Sequence, residues 1–474
     1  MTKEKIAGSL HESVKLLKVL HINETHREVG GQERYFFGLI NGLRERGIDT
    51  YSFGFDTIAR KTGKSLVLKT PGYFMKQFNR FVFDFNAYFK LRSWITKIHP
   101  DIIHLHGLNQ STLAILFACR GHKVVQTVHN YGMICSTIWC VTKDDLKPCC
   151  SGAGLKCWRR KCIALKYLIP FYFHIKIRNF FLKRLVNVYH APSKALKVYL
   201  NKIGYEPVEV INYFIDVKEM SGNEKKEYDI VFVGRLDVEK GVKFLLDAIG
   251  VLKKEHPNIK AVIVGDGPEI EKLQEHARKL GLVNSYSFSE KNRDINSNLL
   301  RKSHNTNSSF ISEKSHDTNS KNPDGFSYDT NSYSAKQNSH NNCFSSKNSC
   351  DNVDFVGRAD FDAVKKYYAK SRIFVMPSVY MEQFGFVGIE AMSNSLPSVA
   401  GNRGGIPEWC IDNKTGLLVD PTKPLEIANA IDKLLSDKKL AKRLGDNAKA
   451  YAKNFDKKGL IDEVIKLYNS LLNK

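Results

Sequence analysis

Short apolar runs rich in β-branched residues alternate along the chain with longer stretches whose apolar positions recur every three or four residues. The runs are typical of buried parallel strands, and the longer stretches are typical of helices that cover such a sheet. In the first half the predicted strands lie at residues 14–22, 101–107, 123–129, 189–193 and 210–216. This alternation predicts a doubly wound α/β domain over residues 1–217.

A charged segment without apolar periodicity, residues 218–228, separates this domain from a second one. The predicted strands beyond it lie at residues 229–234, 260–267, 353–357 and 373–376. Helical segments again lie between the strands, so the sequence predicts a second parallel α/β domain over residues 218–456.

One stretch of the second domain breaks this pattern. Residues 291–352 contain 27 Asn and Ser in 62 positions, and related units begin at Ser303, Ser315, Ser327 and Ser339 with a period of twelve. These units have too little apolar surface to stack on one another or to offset the entropy of ordering. We predict a disordered surface insertion between the end of a helix and the next strand.

Length and composition limit the class of protein. A chain of 474 residues is long enough for two domains with substantial cores. No apolar run reaches the roughly 18 residues that a membrane span requires, and the polar start lacks the apolar core of a secretion signal. We therefore expect a cytoplasmic protein, with peripheral attachment to the inner face of the cell membrane as a further hypothesis.

The positive charge is concentrated in the first half of the chain. Residues 1–220 carry 34 Lys and Arg against 16 Asp and Glu, a net charge of +18, which leaves +5 of the total of +23 for the remainder. Residues 151–200 contain eleven basic residues and no acidic one. Such a surface attracts polyanions. No recognised nucleic-acid-binding motif accompanies the charge, so we predict no nucleic-acid partner.

The basic segment at residues 156–185 is also rich in aromatic residues, and two interpretations remain open. The segment is either the solvated rim of an ordinary helix or a surface that docks on anionic lipid head groups. In the second case each basic residue near the membrane adds about 1 kcal/mol. Pro170 divides the segment, so the pattern predicts an amphipathic helix in its second half.

Six cysteines fall close together in the first half: Cys135, Cys140, Cys149, Cys150, Cys157 and Cys162. None of their spacings is the C-x2-C pattern typical of a zinc site. Reduced thiols in a packed loop are the simpler interpretation, and a structural metal is the alternative.

Acidic and glycine residues that are candidates for ligand binding follow the predicted strand at residues 373–376. Glu382 comes first, Gly385 and Phe386 then mark the start of a helix, and Glu390 lies within that helix. Main-chain N–H groups at a helix start bind polar or anionic ligands. Carboxylates that only accept hydrogen bonds suit the hydroxyl groups of a sugar or a ribose.

Basic residues hold a comparable position after the predicted strand at residues 229–234. Arg235 follows the strand directly and Lys240 precedes the next helix, which is the favoured place for a diphosphate at the edge of a parallel sheet. In the first domain, Gly31 lies between a strand and a helix, and His129 ends a predicted strand at the edge where parallel sheets bind ligands.

These segments resemble the retaining glycosyltransferases of family four, which have the GT-B fold. MPSVYMEQFGFVGIE at residues 376–390 resembles the family's E-x7-E signature, and GRLDVEKG at residues 234–241 resembles its diphosphate-binding segment. The resemblance covers nearly all of residues 14–473 except the insertion. It implies two Rossmann-like domains that face a cleft, with a final helix at residues 457–474 returning to the first domain.

The resemblance also implies a reaction. It implies transfer of a hexose-type sugar from a nucleotide-diphosphate sugar to a glycan, a lipid-linked molecule or another cell-envelope acceptor, without a metal or other cofactor. The alternative is a catalytically silent GT-B subunit that binds a sugar nucleotide beside an active partner.

The resemblance further implies a role for each candidate residue. In the second domain, it implies that Arg235 and Lys240 bind the donor diphosphate and that Glu382 binds the donor sugar. It also implies that Glu390 binds the ribose and that the main-chain contacts come from Gly385 and Phe386. In the first domain, it implies that Gly31 borders the donor phosphate and that His129 reaches the donor sugar across the cleft.

Overall fold

The computed structural model describes residues 17–72, 83–149, 154–216, 224–283 and 351–473, except 29, 109–111 and 136, together with 75 and 152. The insertion predicted at residues 291–352 lies outside the described residues apart from Asp351 and Asn352.

The first half of the chain forms an eight-stranded sheet. Its strands are β1 (Lys18–Thr25), β2 (Asp49–Asp56), β3 (Arg60–Lys61), β4 (Ser65–Lys69), β5 (Ile102–Leu105), β6 (Lys123–Thr127), β7 (Val188–Ala191) and β8 (Val208–Val210). They follow the order β3-β4-β2-β1-β5-β6-β7-β8, and only the β3–β4 pair is antiparallel. The helices of this half are α1 (Gly31–Glu45), α2 (Phe85–Ile98), α3 (Thr112–Ala118), α4 (Leu155–Arg159), α5 (Leu165–Leu185) and α6 (Lys194–Lys202).

The second half forms a six-stranded parallel sheet. Its strands are β9 (Tyr228–Val233), β10 (Ala261–Val264), β11 (Val353–Gly357), β12 (Ser371–Met376), β13 (Ser398–Gly401) and β14 (Gly416–Val419), in the order β11-β10-β9-β12-β13-β14. Its helices are α7 (Val242–Leu252), α8 (Ile270–Lys279), α9 (Phe361–Lys370), α10 (Phe386–Ser393), α11 (Pro424–Ser436), α12 (Lys438–Ala452) and α13 (Lys457–Leu472).

Both sheets reverse their strand order beside their first strand. β1 lies between β2 and β5, and β9 lies between β10 and β12. Parallel α/β sheets bind ligands at such a switch point, outside the carboxyl ends of the strands. The prediction of two parallel α/β domains is confirmed.

Helix α13 packs against the first sheet and α1 although it follows the second sheet in sequence. The Tyr468 hydroxyl lies 2.6 Å from Nδ1 of His104, which is buried in β5. Ile461 packs closely against α1, because a Cβ on Gly42 would lie 2.7 Å from its Cδ1 atom. At the surface, Arg46 Nε lies 2.8 Å from Asp462 Oδ1.

Several local predictions differ from the structure. The apolar pattern also predicts a helix at residues 73–98, of which residues 73, 74 and 76–82 lie outside the described residues. In the described part, α2 begins at Phe85, where the Asp84 carboxylate accepts the Ala87 N–H and caps the helix. The last predicted strand of the first half ends at Val210, and residues 211–214 continue without regular structure.

Proline and edge strands account for further differences. Helix α5 continues through Pro170, its sixth residue, although a proline there removes a main-chain hydrogen bond of the helix. The sequence analysis did not predict β2, β3 or β4, which form one edge of the first sheet, or β13 and β14, which form one edge of the second.

The chain segments on either side of residues 284–350 are hydrogen-bonded to each other. The Asn352 N–H donates to the Leu282 carbonyl at 2.8 Å, and the Asn352 side chain donates to the Ile259 carbonyl at 2.9 Å. The end of α8 and the start of β11 therefore meet as they would in an uninterrupted helix-to-strand connection.

Candidate active site

Two loops at the carboxyl edge of the second sheet bring Lys240 and Glu382 together. Lys240 follows β9 and Glu382 follows β12, and these strands are hydrogen-bonded neighbours. Lys240 Nζ lies 2.8 Å from Glu382 Oε1, and the Glu382 side chain is 5% exposed. A buried ion pair needs further hydrogen bonds to offset its lost hydration.

Those hydrogen bonds come from the loop after β12. Ser378 Oγ donates to Glu382 Oε1 at 2.8 Å, and the Tyr380 hydroxyl donates to Glu382 Oε2. Lys240 Nζ also lies 3.1 Å from the Tyr380 hydroxyl oxygen and 4.7 Å from the centre of its ring. Three donors thus hold the carboxylate in one orientation.

Glycines allow a third segment to approach the main chain of this loop. The Gly405 N–H donates to the Glu382 carbonyl at 2.7 Å, and Gly404 has a φ of +57°. A Cβ on Gly404 would lie 2.1 Å from the same carbonyl oxygen. The glycine pair after β13 therefore fixes the backbone that carries Glu382.

Arg235 lies at the same edge but is more open to solvent. Its Nε lies 2.9 Å from Asp237 Oδ2, and 58% of its side chain is exposed. Burial raises the pKa of Asp237, while Arg235 and Lys240 oppose that rise. One exposed and one largely buried cation therefore follow β9, which is a charge arrangement suited to a diphosphate.

The start of α10 faces the first half of the chain. Gly385 precedes it with a φ of +106°, a conformation that favours glycine, and Trp409 Nε1 donates to the Phe384 carbonyl at 2.6 Å. A Cβ on Gly31 would lie 3.0 Å from the Phe386 ring. The structure thus brings Gly31, Gly385 and Phe386 together between the two sheets.

Glu390 lies inside α10 and is bound by residues of this chain. Its carboxylate accepts a hydrogen bond from Arg34 of α1 and lies 3.4 Å from the Tyr368 hydroxyl oxygen. The Arg34 guanidinium also lies 4.1 Å from the centre of the Phe361 ring. Burial raises the pKa of Glu390, and Arg34 and Tyr368 oppose that rise.

His129 is buried, and both of its ring nitrogens are engaged. Nδ1 lies 2.6 Å from the Tyr213 hydroxyl oxygen, and Nε2 lies 3.2 Å from His106 Nδ1. Burial lowers the pKa of His129 to about 3, so the imidazole is neutral at physiological pH. A contact between this ring and a donor sugar requires one of these hydrogen bonds to open.

His129 belongs to a row of side chains that the sequence analysis did not single out. His106 Nε2 lies 3.2 Å from His21 Nδ1 at one end of the row. At the other end the Tyr213 ring stacks on Phe386, with centroids 4.6 Å apart and planes 7° apart. The sequence signal available for this row was the pair His104 and His106 at the end of β5.

A small, partly open recess lies beside His129 in the first domain. It lies at the carboxyl ends of β5 and β6, and its lining includes Gly107, Asn130 and Arg178. This is the edge of the first sheet at which a parallel α/β domain binds a ligand.

Comparison with known sequences defines the class of protein. The family described as Glycosyltransferase Family 4 matches residues 29–219, and the family described as Glycosyl transferases group 1 matches residues 215–306 and 340–451. The gap in the second match falls within the predicted insertion. The chain belongs to the group 1 glycosyltransferases, which have the GT-B fold.

Similar curated proteins match only part of their own length. An uncharacterized glycosyltransferase of Methanocaldococcus jannaschii is 34% identical over 128 residues, which are 27% of this chain and 36% of that protein. A GDP-mannose-dependent alpha-(1-6)-phosphatidylinositol monomannoside mannosyltransferase of Mycobacterium tuberculosis is 36% identical over 101 residues, 20% of this chain and 26% of that protein. The chain thus spans about a quarter to a third of the length of these relatives.

Solved structures share the whole architecture at low sequence identity. Sucrose-phosphate synthase from Thermosynechococcus elongatus has a TM-score of 0.63 and 18% identity, covering 96% of this chain and 99% of that one. HepE of Anabaena, in complex with UDP and glucose, has a TM-score of 0.59 and 15% identity, covering 96% and 100%. These similarities establish the fold. Among the helices that the structure describes, none is both long and apolar enough to cross a membrane.

Proposed function

We propose that this protein transfers a hexose-type sugar from a nucleotide-diphosphate sugar to a glycan, a lipid-linked molecule or another cell-envelope acceptor. We further propose that it retains the anomeric configuration and needs no metal at the donor. The buried Lys240–Glu382 pair at the switch point of the second sheet is the observation that carries this proposal. The pair supplies a cation for a phosphate and an acceptor for sugar hydroxyls at one place.

Catalysis in this proposal is electrostatic. Lys240 and Arg235 neutralise the charge that develops on the leaving diphosphate, Lys240 as a point charge and Arg235 as a planar fork. Charge-assisted hydrogen bonds of this kind contribute about 1.5–3 kcal/mol each. Because the charge grows as the glycosidic bond breaks, these contacts stabilise the transition state more than the bound donor.

Donor binding has to replace contacts that the chain makes with itself. Lys240 is bound to Glu382, and Glu390 is bound to Arg34. We propose that the diphosphate takes over Lys240, that a sugar hydroxyl takes its place at Glu382, and that the ribose displaces Arg34 from Glu390. Since the contact between Arg34 and Glu390 joins α1 to α10, this exchange couples donor binding to the relative position of the two domains.

The acceptor in this proposal approaches from the first domain. The recess beside His129 lies at the carboxyl edge of the first sheet, and Tyr213 connects His129 to Phe386 of α10. An acceptor hydroxyl placed there lies on the opposite side of the cleft from Lys240 and Arg235. The neutral His129 imidazole can exchange a hydrogen bond with a sugar hydroxyl when its own partners move aside.

The outer face of α5 favours an acceptor at a membrane. Large apolar side chains are exposed along this helix: Leu165, Tyr167, Ile169, Tyr172, Phe173, Ile177 and Phe180. The exposed Lys176, Lys183 and Arg184 lie along the same helix, while Ile175 and Leu182 are buried on its inner side. We propose that α5 docks on an anionic membrane surface, because its outer face combines apolar area with positive charge.

A donor screen tests the function. Purified protein is incubated with UDP-, GDP- and ADP-sugars without added Mg²⁺ or Mn²⁺, and the released nucleotide is measured. We expect release from one class of donor, and NMR of the product should show the anomeric configuration of the donor. Binding of a sugar nucleotide without release or transfer would instead support the catalytically silent subunit, and no binding at all would reject both functions.

A further inference from the structure

We propose that Tyr213 is a positioning residue that fixes the tautomer of His129, so that the imidazole presents an N–H at Nε2 to the donor sugar. This inference rests on the proposed function, because it specifies how the chain prepares a side chain for the transferred sugar. The observation behind it is the row of hydrogen bonds that joins Tyr213, His129, His106 and His21. All four side chains of the row are buried.

The three imidazoles of the row are neutral. Burial lowers the pKa of His129 and of His21 to about 3, and it lowers the pKa of His106 well below its ordinary value. A neutral imidazole has one N–H that donates and one bare nitrogen that accepts. Each histidine therefore passes on the direction of the hydrogen bond that it receives. The direction of one bond fixes the proton position on every ring of the row.

The Tyr213 hydroxyl decides that direction. Its oxygen lies 2.6 Å from His129 Nδ1, which is its one hydrogen-bond partner among the residues that the structure describes. If Nδ1 carried the proton, the phenolic O–H would be buried without an acceptor, and a buried donor without an acceptor is destabilising. The Tyr213 O–H therefore donates to Nδ1, and the proton of the His129 ring lies on Nε2.

The far end of the row agrees with this assignment. With its proton on Nε2, His129 donates to His106 Nδ1 at 3.2 Å, and His106 Nε2 donates to His21 Nδ1 at 3.2 Å. His21 Nε2 is buried and has no hydrogen-bond partner among the described residues, whichever direction the row takes. The direction that begins at Tyr213 thus leaves one polar group unpaired, whereas the reverse direction leaves two.

The two hydrogen bonds of His129 differ in length. The bond from the Tyr213 hydroxyl, at 2.6 Å, is at the short end of the normal range, and the contact with His106, at 3.2 Å, is at the long end. The longer contact is the weaker one, so it is the one that opens when a ligand arrives. His129 Nε2–H then donates to a hydroxyl oxygen of the sugar while Tyr213 still holds Nδ1.

Both domains hold the Tyr213 ring in place. Phe386, at the start of α10, stacks on this ring with centroids 4.6 Å apart, and Tyr35 of α1 packs on it with ring centres 4.9 Å apart. The start of α10 is also where the proposed function places main-chain contacts to the donor. The hydroxyl that orients His129 is therefore positioned by the contact between the two domains at the donor site.

Nitrogen NMR of the full-length wild-type protein tests the assignment directly. In protein that carries isotope-labelled histidine, couplings between ring protons and ring nitrogens show which nitrogen is protonated. The signals that disappear in His129→Gln belong to His129. We expect His129 to be protonated at Nε2 and bare at Nδ1.

Tyr213→Phe separates the hydroxyl from the ring. The variant keeps the stacking on Phe386 and removes only the donor to His129, so both His129 tautomers should become populated. We expect kcat to fall about tenfold, which corresponds to the loss of one hydrogen bond, while the KM for the donor changes less than about twofold. A merely structural role of Tyr213 would instead disturb the start of α10 and raise the donor KM.

Tyr35→Phe is the matched control. Tyr35 is a buried tyrosine that packs on Tyr213, and its hydroxyl has no hydrogen-bond partner among the described residues. The variant should leave the His129 tautomer, kcat and KM unchanged.

Distinct results would overturn the positioning role and the proposed function. Protonation of wild-type His129 at Nδ1 would overturn the positioning role and needs no variant of Tyr213 to fold. Tyr213→Phe with the kcat of the wild type, or with a lower kcat but an unchanged tautomer, would also overturn it. Absence of transfer by the wild type with every donor would reject the proposed function, and the NMR result would still decide whether Tyr213 fixes the His129 tautomer.

Discussion

At the scale of single residues, the candidate site is organised by charges that neutralise one another. Lys240 lies against Glu382, Arg235 against Asp237, and Glu390 against Arg34. Such pairs keep buried charges compensated before a ligand arrives, since an unpaired buried charge is strongly destabilising. Under the proposed function, the same pairs hold these side chains near the positions in which a sugar diphosphate would meet them.

Removing the charge of Lys240 tests this pairing. Lys240→Met should lower transfer by about 100-fold or more, because a cation that stabilises the leaving diphosphate is lost. It should also lower the free energy of unfolding by about 1–3 kcal/mol, because the buried Glu382 loses a partner. Transfer is measured from released nucleotide, and stability from urea unfolding.

Two further variants separate the effects on activity and stability. Lys240→Met combined with Glu382→Gln should recover most of the lost stability but no activity, since neither charge then remains unpaired. Lys243→Met is the matched control, because this exposed lysine lies in the next helix and pairs with Asp247. Undiminished transfer by Lys240→Met would remove Lys240 from the proposed site.

Glu33 provides a pH-dependent test at the same scale. Burial raises its pKa from 4.5 to about 7, although its carboxylate accepts the Gly30 N–H at 3.1 Å. Between these pH values the folded chain binds a proton that the unfolded chain has released. The free energy of unfolding should therefore fall as pH rises from 4.5 to 7, by up to ~3 kcal/mol.

Glu33→Gln removes this titration. The free energy of unfolding of the variant minus that of the wild type should be larger at pH 8 than at pH 5. The reason is that the neutral amide of the variant never has to ionise in a buried position. Urea unfolding at a series of pH values measures the difference. Parallel stability curves for the two proteins would contradict this role of Glu33.

At the scale of secondary-structure elements, α5 has two sides of different character. Its inner side packs into the protein through Ile175 and Leu182, while its outer side exposes Ile169 and Phe173, which are 66% and 60% exposed. Large apolar residues at consecutive turns of an exposed face mark an interaction surface. Basic residues on the same helix favour an anionic partner.

Acidic substitutions of two exposed apolar residues on this face test membrane docking. Ile169→Glu combined with Phe173→Glu should weaken binding to anionic vesicles at least tenfold, because burying each side chain contributes about 1.5–3 kcal/mol. Leu425→Glu, at an exposed position of the second domain, is the control. Equal co-sedimentation of the wild type with anionic and neutral vesicles at moderate salt would reject the membrane as a partner.

At the scale of the whole molecule, two sheets and a returning helix define one architecture that the insertion does not interrupt. Leu282 and Asn352 are hydrogen-bonded across residues 284–350, and α13 packs its Tyr468 against the first sheet. The two halves therefore depend on contacts between residues hundreds of positions apart in sequence.

Deleting the insertion tests its independence from the fold. Replacing residues 284–350 by a short Gly-Ser linker should leave the fold intact and leave donor binding unchanged. Since each halving of a flexible loop lowers its closure entropy cost by about 0.6 kcal/mol, stability should rise by ~1–2 kcal/mol. Thermal unfolding measures this change, and a large loss of stability would show that the insertion packs on the domain.

Apolar, β-branched runs were predictable from sequence as strands, and strands of mixed composition were not. Runs such as Ile230–Val233 are apolar throughout because both faces of a central strand are covered. The strands β2 to β4, β13 and β14 contain polar residues or glycines, and their pairing depends on distant partners. The interruption at Phe83 and Asp84 before α2 begins was missed because one capping side chain decides it.

The candidate site residues could be proposed from the sequence, but their partners in the structure could not. Strand ends and glycines marked Lys240, Glu382 and Glu390, because chemistry at the edge of a parallel sheet follows the strands in sequence. Nothing local in the sequence pairs Glu390 with Arg34, which are 356 positions apart, or His129 with Tyr213. The Arg34–Glu390 contact arises where one domain meets the other, and the His129–Tyr213 contact joins distant segments of the first domain.

The sequence by itself determined the two parallel α/β domains and the candidate residues at their edges, because local sequence patterns decide which residues are buried and where the chain turns. Only the tertiary structure decided which charges compensate one another and which face of α5 stays exposed. Those features depend on packing between distant segments, and packing is a property of the assembled chain rather than of any stretch of it.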